Sequence, residues 1–286
     1  MKKSISVRAN GKEYEIPNSW ELLTSEQYLK LIELVSLMES GQYSLGVVKG
    51  LFLCHLMKWD AGKIASDKRN LENFVSIANQ ISFFYKEKED KFVLDFCFCR
   101  QMLPIVFIGK KAYYGYEVST DYNSLTCSLS ALQYIEARQL LDMGEESLPL
   151  LAAVLYFRKG EYSSEKAQKL AGEFRKLPAN TLRAIALNFT AVNNFIFMKT
   201  EFSLLTKFAP QKGNAITTDA TDALYDLSKD GLGNARQVEQ MNVLTYLRIL
   251  RKKTIDGVKT LRAAGMDVVK IANEVGLPLE IVKKII

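Results

Sequence analysis

The spacing of apolar and polar positions changes along this chain, and one succession of spacings occurs twice. Ile5-Ser6-Val7-Arg8 alternates apolar with polar, Asn10-Gly11 favours a tight two-residue turn, and Tyr14-Glu15-Ile16 resumes the alternation. That pattern predicts a β-hairpin. After Pro17-Asn18-Ser19 the period becomes helical, with Tyr28, Leu31, Ile32 and Val35 on one face. Thr24-Ser25-Glu26-Gln27 stands just ahead as a capping box, in which the Thr24 hydroxyl and the Gln27 side chain satisfy each other's backbone amides. Further helices are predicted near Leu45–Lys58 and Leu71–Tyr85.

The second succession begins at Pro104-Ile105-Val106-Phe107, turns at Gly109-Lys110 and returns through Ala112-Tyr113-Tyr114. Ser130 takes the capping place of Thr24, and Gln133 that of Gln27. Helices are predicted to about Asp142, over Leu148–Arg158, over Ser164–Lys176 and after Leu177-Pro178-Ala179. Gly11-Lys12 matches Gly109-Lys110, and Ser44-Leu45-Gly46-Val47-Val48 matches Ser147-Leu148-Pro149-Leu150-Leu151. A period this long points to a duplicated small domain, since solenoid repeats run about 20–50 residues. The expected fold class is therefore α+β and mostly α-helical: two tandem hairpin-plus-helices modules, 1–103 and 104–208. Residues 209–222, poor in bulk, read as a linker. Residues 223–286 read as a helical C-terminal module, with a helix from about Asn234 to Ala264, then Gly265 and two short helices.

Composition narrows the class. At 286 residues about two domains are expected. With 48% hydrophobic and 24% charged residues, the chain should fold around real cores. The net charge of +6 is mild, so its meaning depends on where it sits. No apolar run approaches the roughly 18 residues of a membrane span. Met1-Lys2-Lys3 leads into a strand pattern and not a signal-peptide core, so the cytoplasm is the expected place. Cys54, Cys97, Cys99 and Cys127 are then expected as free, mostly buried thiols. Their spacing fits no zinc site, and His55 beside Cys54 points about 100° away on a helix.

Catalytic equipment is sparse. His55, the one histidine, lies in the apolar stretch Leu51–Met57, where a core or boundary role is expected. No phosphate-binding Gly-rich loop is present. Glu145-Glu146 and Glu87 with Glu89 and Asp90 read as solvated surface. No catalytic residue, metal or cofactor is expected.

The C-terminus carries a binding-type motif. Residues 268–285 resemble a helix-turn-helix, with Ala272 at the crossing, Gly276 in the turn and Ile271, Val275, Leu277, Val282 and Ile285 as apolar contacts. Leu279 and Glu280 stand where a reading helix would present donors to base edges, which argues against groove insertion. On the preceding helix Arg248, Arg251, Lys252, Lys259 and Arg262 fall within about 100° of arc. With Lys283 and Lys284 they are candidate nucleic-acid contacts; an acidic protein partner or a plain solvated face suits them equally. Trp20, Tyr28, Trp59, Tyr113 and Tyr114 are candidate protein-interface aromatics, with core packing as the competing role.

Ile16-Pro17-Asn18-Ser19-Trp20-Glu21-Leu22-Leu23-Thr24, with Gln27 and Leu29 beyond, resembles the opening of uncharacterised proteins of tailed phages and prophages, notably those of Bacteroidota. Leu155-Tyr156-Phe157-Arg158-Lys159-Gly160-Glu161-Tyr162, then Phe174 with Leu177-Pro178-Ala179, then an aromatic helix through Phe189 and Phe195, is similar to theirs as well. The likeness covers about residues 1–200. It implies a non-enzymatic virion, tail-assembly or chaperone protein whose partners are other phage proteins or further copies of itself. DNA binding through the C-terminal module is the alternative.

Overall fold

The computed structural model describes residues 4–9, 11–66, 68–88, 91–121, 124–158, 160–205, 224, 227–229 and 231–286. The expected linker at 209–222 lies outside them. The fold is mostly helical with small antiparallel hairpins. The first stretch runs β1 (Ser4–Ala9), β2 (Lys12–Pro17), α1 (Ser25–Glu39), α2 (Leu45–Met57), α3 (Ala61–Ser66), α4 (Lys68–Gln80), β3 (Tyr85–Lys88) and β4 (Lys91–Leu94). The second runs β5 (Ile105–Ile108), β6 (Lys111–Tyr114), β7 (Val118–Ser119), β8 (Thr126–Cys127), α5 (Ala131–Asp142), α6 (Leu148–Leu155), α7 (Ser164–Phe174) and α8 (Ala179–Lys199). The chain closes with α9 (Ala235–Glu239), α10 (Val243–Ala263), α11 (Val268–Val275) and α12 (Leu279–Ile285).

Both stretches hold a leading hairpin and four helices, but the order differs: the second ribbon follows the helices in the first stretch (β3–β4) and precedes them in the second (β7–β8). The turns also differ by one position. Ala9 pairs with Lys12, so Gly11 is the second loop residue; Ile108 pairs with Lys111, so Gly109 is the first. The Gly-Lys match in sequence is therefore one residue out of register in space. The hairpins themselves put Tyr14 and Tyr113 in equivalent places, opposite Val7 and Val106.

Both capping boxes form. Thr24 accepts from the Gln27 amide and Ser130 from the Gln133 amide, with each glutamine side chain reaching back to the capping residue. The second glutamine does more than the first. Its buried side chain also donates to the carbonyls of Val154 (3.2 Å) and Phe157 (3.1 Å), where α6 ends. A helix end leaves four carbonyls without intrahelical donors, and Gln133 answers one of them together with a carbonyl just beyond. The next serines also part ways: Ser44 caps α2, whereas the Ser147 hydroxyl donates backwards to Leu140 and Gly144.

Several element boundaries depart from the sequence pattern for tertiary reasons. The helix expected over Leu71–Tyr85 stops at Gln80, and Tyr85 opens β3. The buried Lys49 ammonium sits at that end, donating to the Asn79 carbonyl (3.2 Å) and the Tyr85 hydroxyl (2.5 Å). A cation at a helix C-terminus opposes the dipole and fills open acceptors. The long helix expected from Asn234 is broken at Gln240–Asn242. There Ala131 N–H donates to Met241 O (2.7 Å), Val243 N–H to Leu129 O (3.0 Å) and the Asn242 amide to Cys127 O (2.6 Å). Pairing with residues 127–131 outweighs helix continuity.

One apolar cluster runs from Val7 to Leu247, through both stretches and the start of α10. A second, small cluster is built from Val258, Ile271, Ala272, Leu277 and Val282, where α10, α11 and α12 meet. The main packing therefore crosses the boundaries expected at 103 and 223, leaving only the last three helices around a core of their own.

The different duties of the two glutamines can be measured by urea denaturation. Gln27→Ala is expected to cost about 1 kcal/mol, the usual worth of a cap. Gln133→Ala should cost about 2–3 kcal/mol, because it also removes the donor to the half-buried Phe157 carbonyl and one donor to Val154 O, which keeps the Phe157 N–H.

Candidate functional site

The sheet faces are where the two stretches diverge most. Directly opposed residues of an antiparallel pair share a face. In the first hairpin Ile5, Ile16, Val7 and Tyr14 face inward, while Ser6, Glu15, Arg8 and Glu13 face out. In the second, Val106 is buried opposite Tyr113, whose ring packs on Phe174 at 5.1 Å. The outward face consists of Ile105 opposite Tyr114 and Phe107 opposite Ala112. Ile105 is 41% exposed, Tyr114 52% and Phe107 67%. The fold tolerates a polar outward face in the first hairpin, so the apolar one is not a requirement of the fold.

Of the five aromatics expected at an interface, Tyr114 alone is fully at the surface. Trp20 and Tyr28 are core residues, which corrects that expectation. Trp20 stacks on Phe96 (4.9 Å) and Phe98 (5.2 Å), meets Phe83 edge-on and donates to the Asp95 carbonyl at 2.8 Å. The Tyr28 hydroxyl donates to the Ala184 carbonyl in α8 at 2.8 Å. Trp59 and Tyr113 are half-buried. Trp59 follows Lys58, whose left-handed backbone ends α2, and its ring lies between Tyr14 (6.4 Å) and Phe74 (6.5 Å). Ile105 and Phe107 were missed. The signal was present: Ile105-Val106-Phe107-Ile108 is apolar throughout, where a hairpin with one wet face should alternate.

The basic ridge on α10 is divided. Arg248 and Arg251 lean on Glu201, at 3.6 and 3.8 Å, and Arg251 also donates to the Glu201 carbonyl at 3.2 Å. Arg262 donates to the Met266 carbonyl at 3.3 Å, within its own turn. Lys252 and Lys259 are exposed and have no ion pair with any described residue. At the chain end Lys283 is held by Glu280 at 3.0 Å, and Lys284 is exposed. The helix-turn-helix geometry forms as expected, with Gly276 at φ 65° and Leu277 N–H donating to Ala272 O at 3.0 Å. Glu280 is exposed at the start of α12.

Among the described residues no three His, Cys, Asp or Glu side chains converge to hold a metal, and no helix is long and apolar enough to cross a membrane. A groove of about 590 Å³ between the β7–β8 ribbon, the end of α8 and α10 is lined by Thr120, Ser124, Phe195, Lys199, Glu201 and Arg248. Its Glu201 carboxylate already lies against Arg248. All four cysteines are free thiols; Cys54 and Cys127 are buried, Cys97 and Cys99 half-buried.

Burial pushes the Cys99 thiol up to about 12 and the Cys127 thiol to about 11. It raises Cys54 and Cys97 too, lifts the Tyr246 phenol to about 12, and raises Tyr28, Tyr116, Tyr134, Tyr156 and Tyr162. Thiolate is the reactive form, so the native thiols are poor nucleophiles near neutrality. These groups stay protonated when folded but release protons in the unfolded chain, from about pH 8.5 for thiols and about 10 for phenols. Below that range they leave stability unchanged; above it the unfolded state binds fewer protons and stability falls as pH rises. The urea midpoint is therefore expected to drop clearly between pH 8 and pH 10.5. An unchanged midpoint would contradict the burial of these groups.

Comparison with protein-family models, curated proteins and solved structures returns no match for this chain.

Proposed function

We propose that this is a non-enzymatic structural or assembly protein acting through protein–protein contacts, of the kind found among the virion and tail-assembly proteins of tailed phages and prophages. The observation that carries the reading is the outward face of the second hairpin, Ile105, Phe107, Ala112 and Tyr114. Contiguous exposed apolar surface with an aromatic centre is what interfaces select, because truncating a buried aromatic anchor costs more than truncating most other contacts. The phage setting rests on the sequence resemblance over about residues 1–200.

Changing Phe107 and Tyr114 to glutamate tests the reading. Both side chains are exposed, so the double variant should keep the circular dichroism and melting curve of the parent. The parent is expected to self-associate in light scattering or to co-purify with a protein from the cells that make it, and the variant to lose that association. A strictly monomeric parent that co-purifies with nothing would count against the proposal.

A second reading, contact with the DNA backbone by the C-terminal module, is favoured by the placement of charge. Residues 243–286 hold nine Lys and Arg against four Asp and Glu, most of the chain's excess of +6. On α10, Lys252, Lys259 and Arg262 have no acidic partner among the described residues, and three phosphate contacts from them would give a log–log salt slope of about −2.7 at roughly −0.9 per contact. No sequence preference is expected, since Glu280 occupies the start of α12. Retention of duplex by Lys252→Glu with Lys259→Glu, or no retention by the parent at low salt, would remove this reading.

A further inference from the structure

The hydrogen-bond parity of the second hairpin shows what kind of partner its outward face fits. Bonded and non-bonded pairs alternate along an antiparallel ladder. Gly115 N–H donates to the Pro104 carbonyl at 2.9 Å, so the pair just outside β5 and β6 is a bonded one. Counting inward, Val106–Tyr113 and the turn-closing Ile108–Lys111 are bonded pairs, while Ile105–Tyr114 and Phe107–Ala112 are not. The amides and carbonyls of Ile105 and Phe107 therefore point away from β6, along the free edge of β5. The sheet has two strands, and no described residue makes a backbone hydrogen bond to that edge.

The same parity in the first hairpin exposes the edge groups of Ser6 and Arg8, but there the pattern is defensive. The outward residues are Ser6, Arg8, Glu13 and Glu15, with Pro17 at the end of β2. Charge and proline on an edge are how sheets resist pairing with other chains. The second hairpin lacks both between Ile105 and Ile108. Its tip carries Lys110 and Lys111, both exposed. Lys111, opposite Ile108, lies on the inward side and acts on Glu173, which Lys176 also holds at 2.8 Å. At the tip, Lys110 has no acidic partner among the described residues and stands next to an open, apolar edge.

We infer that β5 takes an extended segment of another protein as an added strand, with apolar residues at alternate positions beside Ile105 and Phe107 and a carboxylate beside Lys110. The inference rests on the protein-binding reading above and names the partner for that face. Strand addition supplies affinity through main-chain bonds and specificity through alternate side chains. A second copy of this chain fits less well. Pairing β5 with its own copy would extend the apolar face across a larger sheet and leave it open to water.

A library of random displayed peptides, selected on the full-length protein and counter-selected on Phe107→Ser with Tyr114→Ser, tests this. Enriched peptides are expected to alternate β-branched or aromatic residues with polar ones and to carry Asp or Glu at one end. A synthetic representative should lose about tenfold or more in affinity when alternate backbone amides are N-methylated, since main-chain bonds carry the interaction. It should also weaken on Lys110→Glu. Enrichment of helically spaced peptides, enrichment equal on the Ser variant, or no enrichment would overturn the inference, as would dimerisation of the protein through β5. Affinity that depends on Phe107 yet ignores N-methylation would overturn the added strand alone and leave the protein-binding face standing.

Discussion

Everything in the main body depends on how one irregular stretch of backbone is satisfied. Residues 95–104 connect the two helical stretches through the interior, where Phe96, Phe98, Met102 and Leu103 are all buried. Buried peptide groups outside helices and sheets must still find partners, at a cost of about 1–3 kcal/mol for each that fails. Here side chains supply them. Asn188, itself buried on α8, accepts from Met102 N–H and donates to Arg100 O, both at 2.8 Å. Asn194 donates to Phe96 O, Trp20 to Asp95 O, Ser25 to Met102 O and Tyr156 to Leu103 O. Elements from both stretches thus converge on the segment between them.

That clamp explains why the molecule has one large core where the sequence pattern suggests two. α8 belongs to the second stretch by order but serves the first as well. Asn180 donates to Leu29 O, Tyr28 donates to Ala184 O, and Arg183 pairs with Glu39. The C-terminal stretch is tied in the same way. The Gln240 side chain and the Tyr162 backbone exchange two bonds, and Asn242 docks beside Ser130. Only beyond about Val258 does the chain leave the main cluster and pack on itself.

What could be read from sequence was local, and what could not was non-local. Both capping boxes, the apolar face of α1 and the Gly276 turn follow from spacings of three or four residues, and each formed as the spacing required. The break at Gln240–Asn242 depends on carbonyls more than 100 positions away, and no local pattern announces it. Trp20 and Tyr28 looked like surface anchors by residue type, yet their polar atoms find interior carbonyls at Asp95 and Ala184. The exposed face at Phe107 was legible in principle, because four successive apolar residues conflict with a hairpin wet on one side. A fully buried strand explains the same run equally well, and only the register in space decides between them.

Native-state hydrogen exchange under rising urea tests the shared core most directly. If the connecting segment locks both stretches together, the slowest amides of α1, α5 and α8 and the Met102 amide should exchange through one common opening, with one free energy and one urea dependence. Separate openings, with α1 and α2 exchanging at a lower free energy than α5 and α8 while Met102 follows neither, would contradict the account.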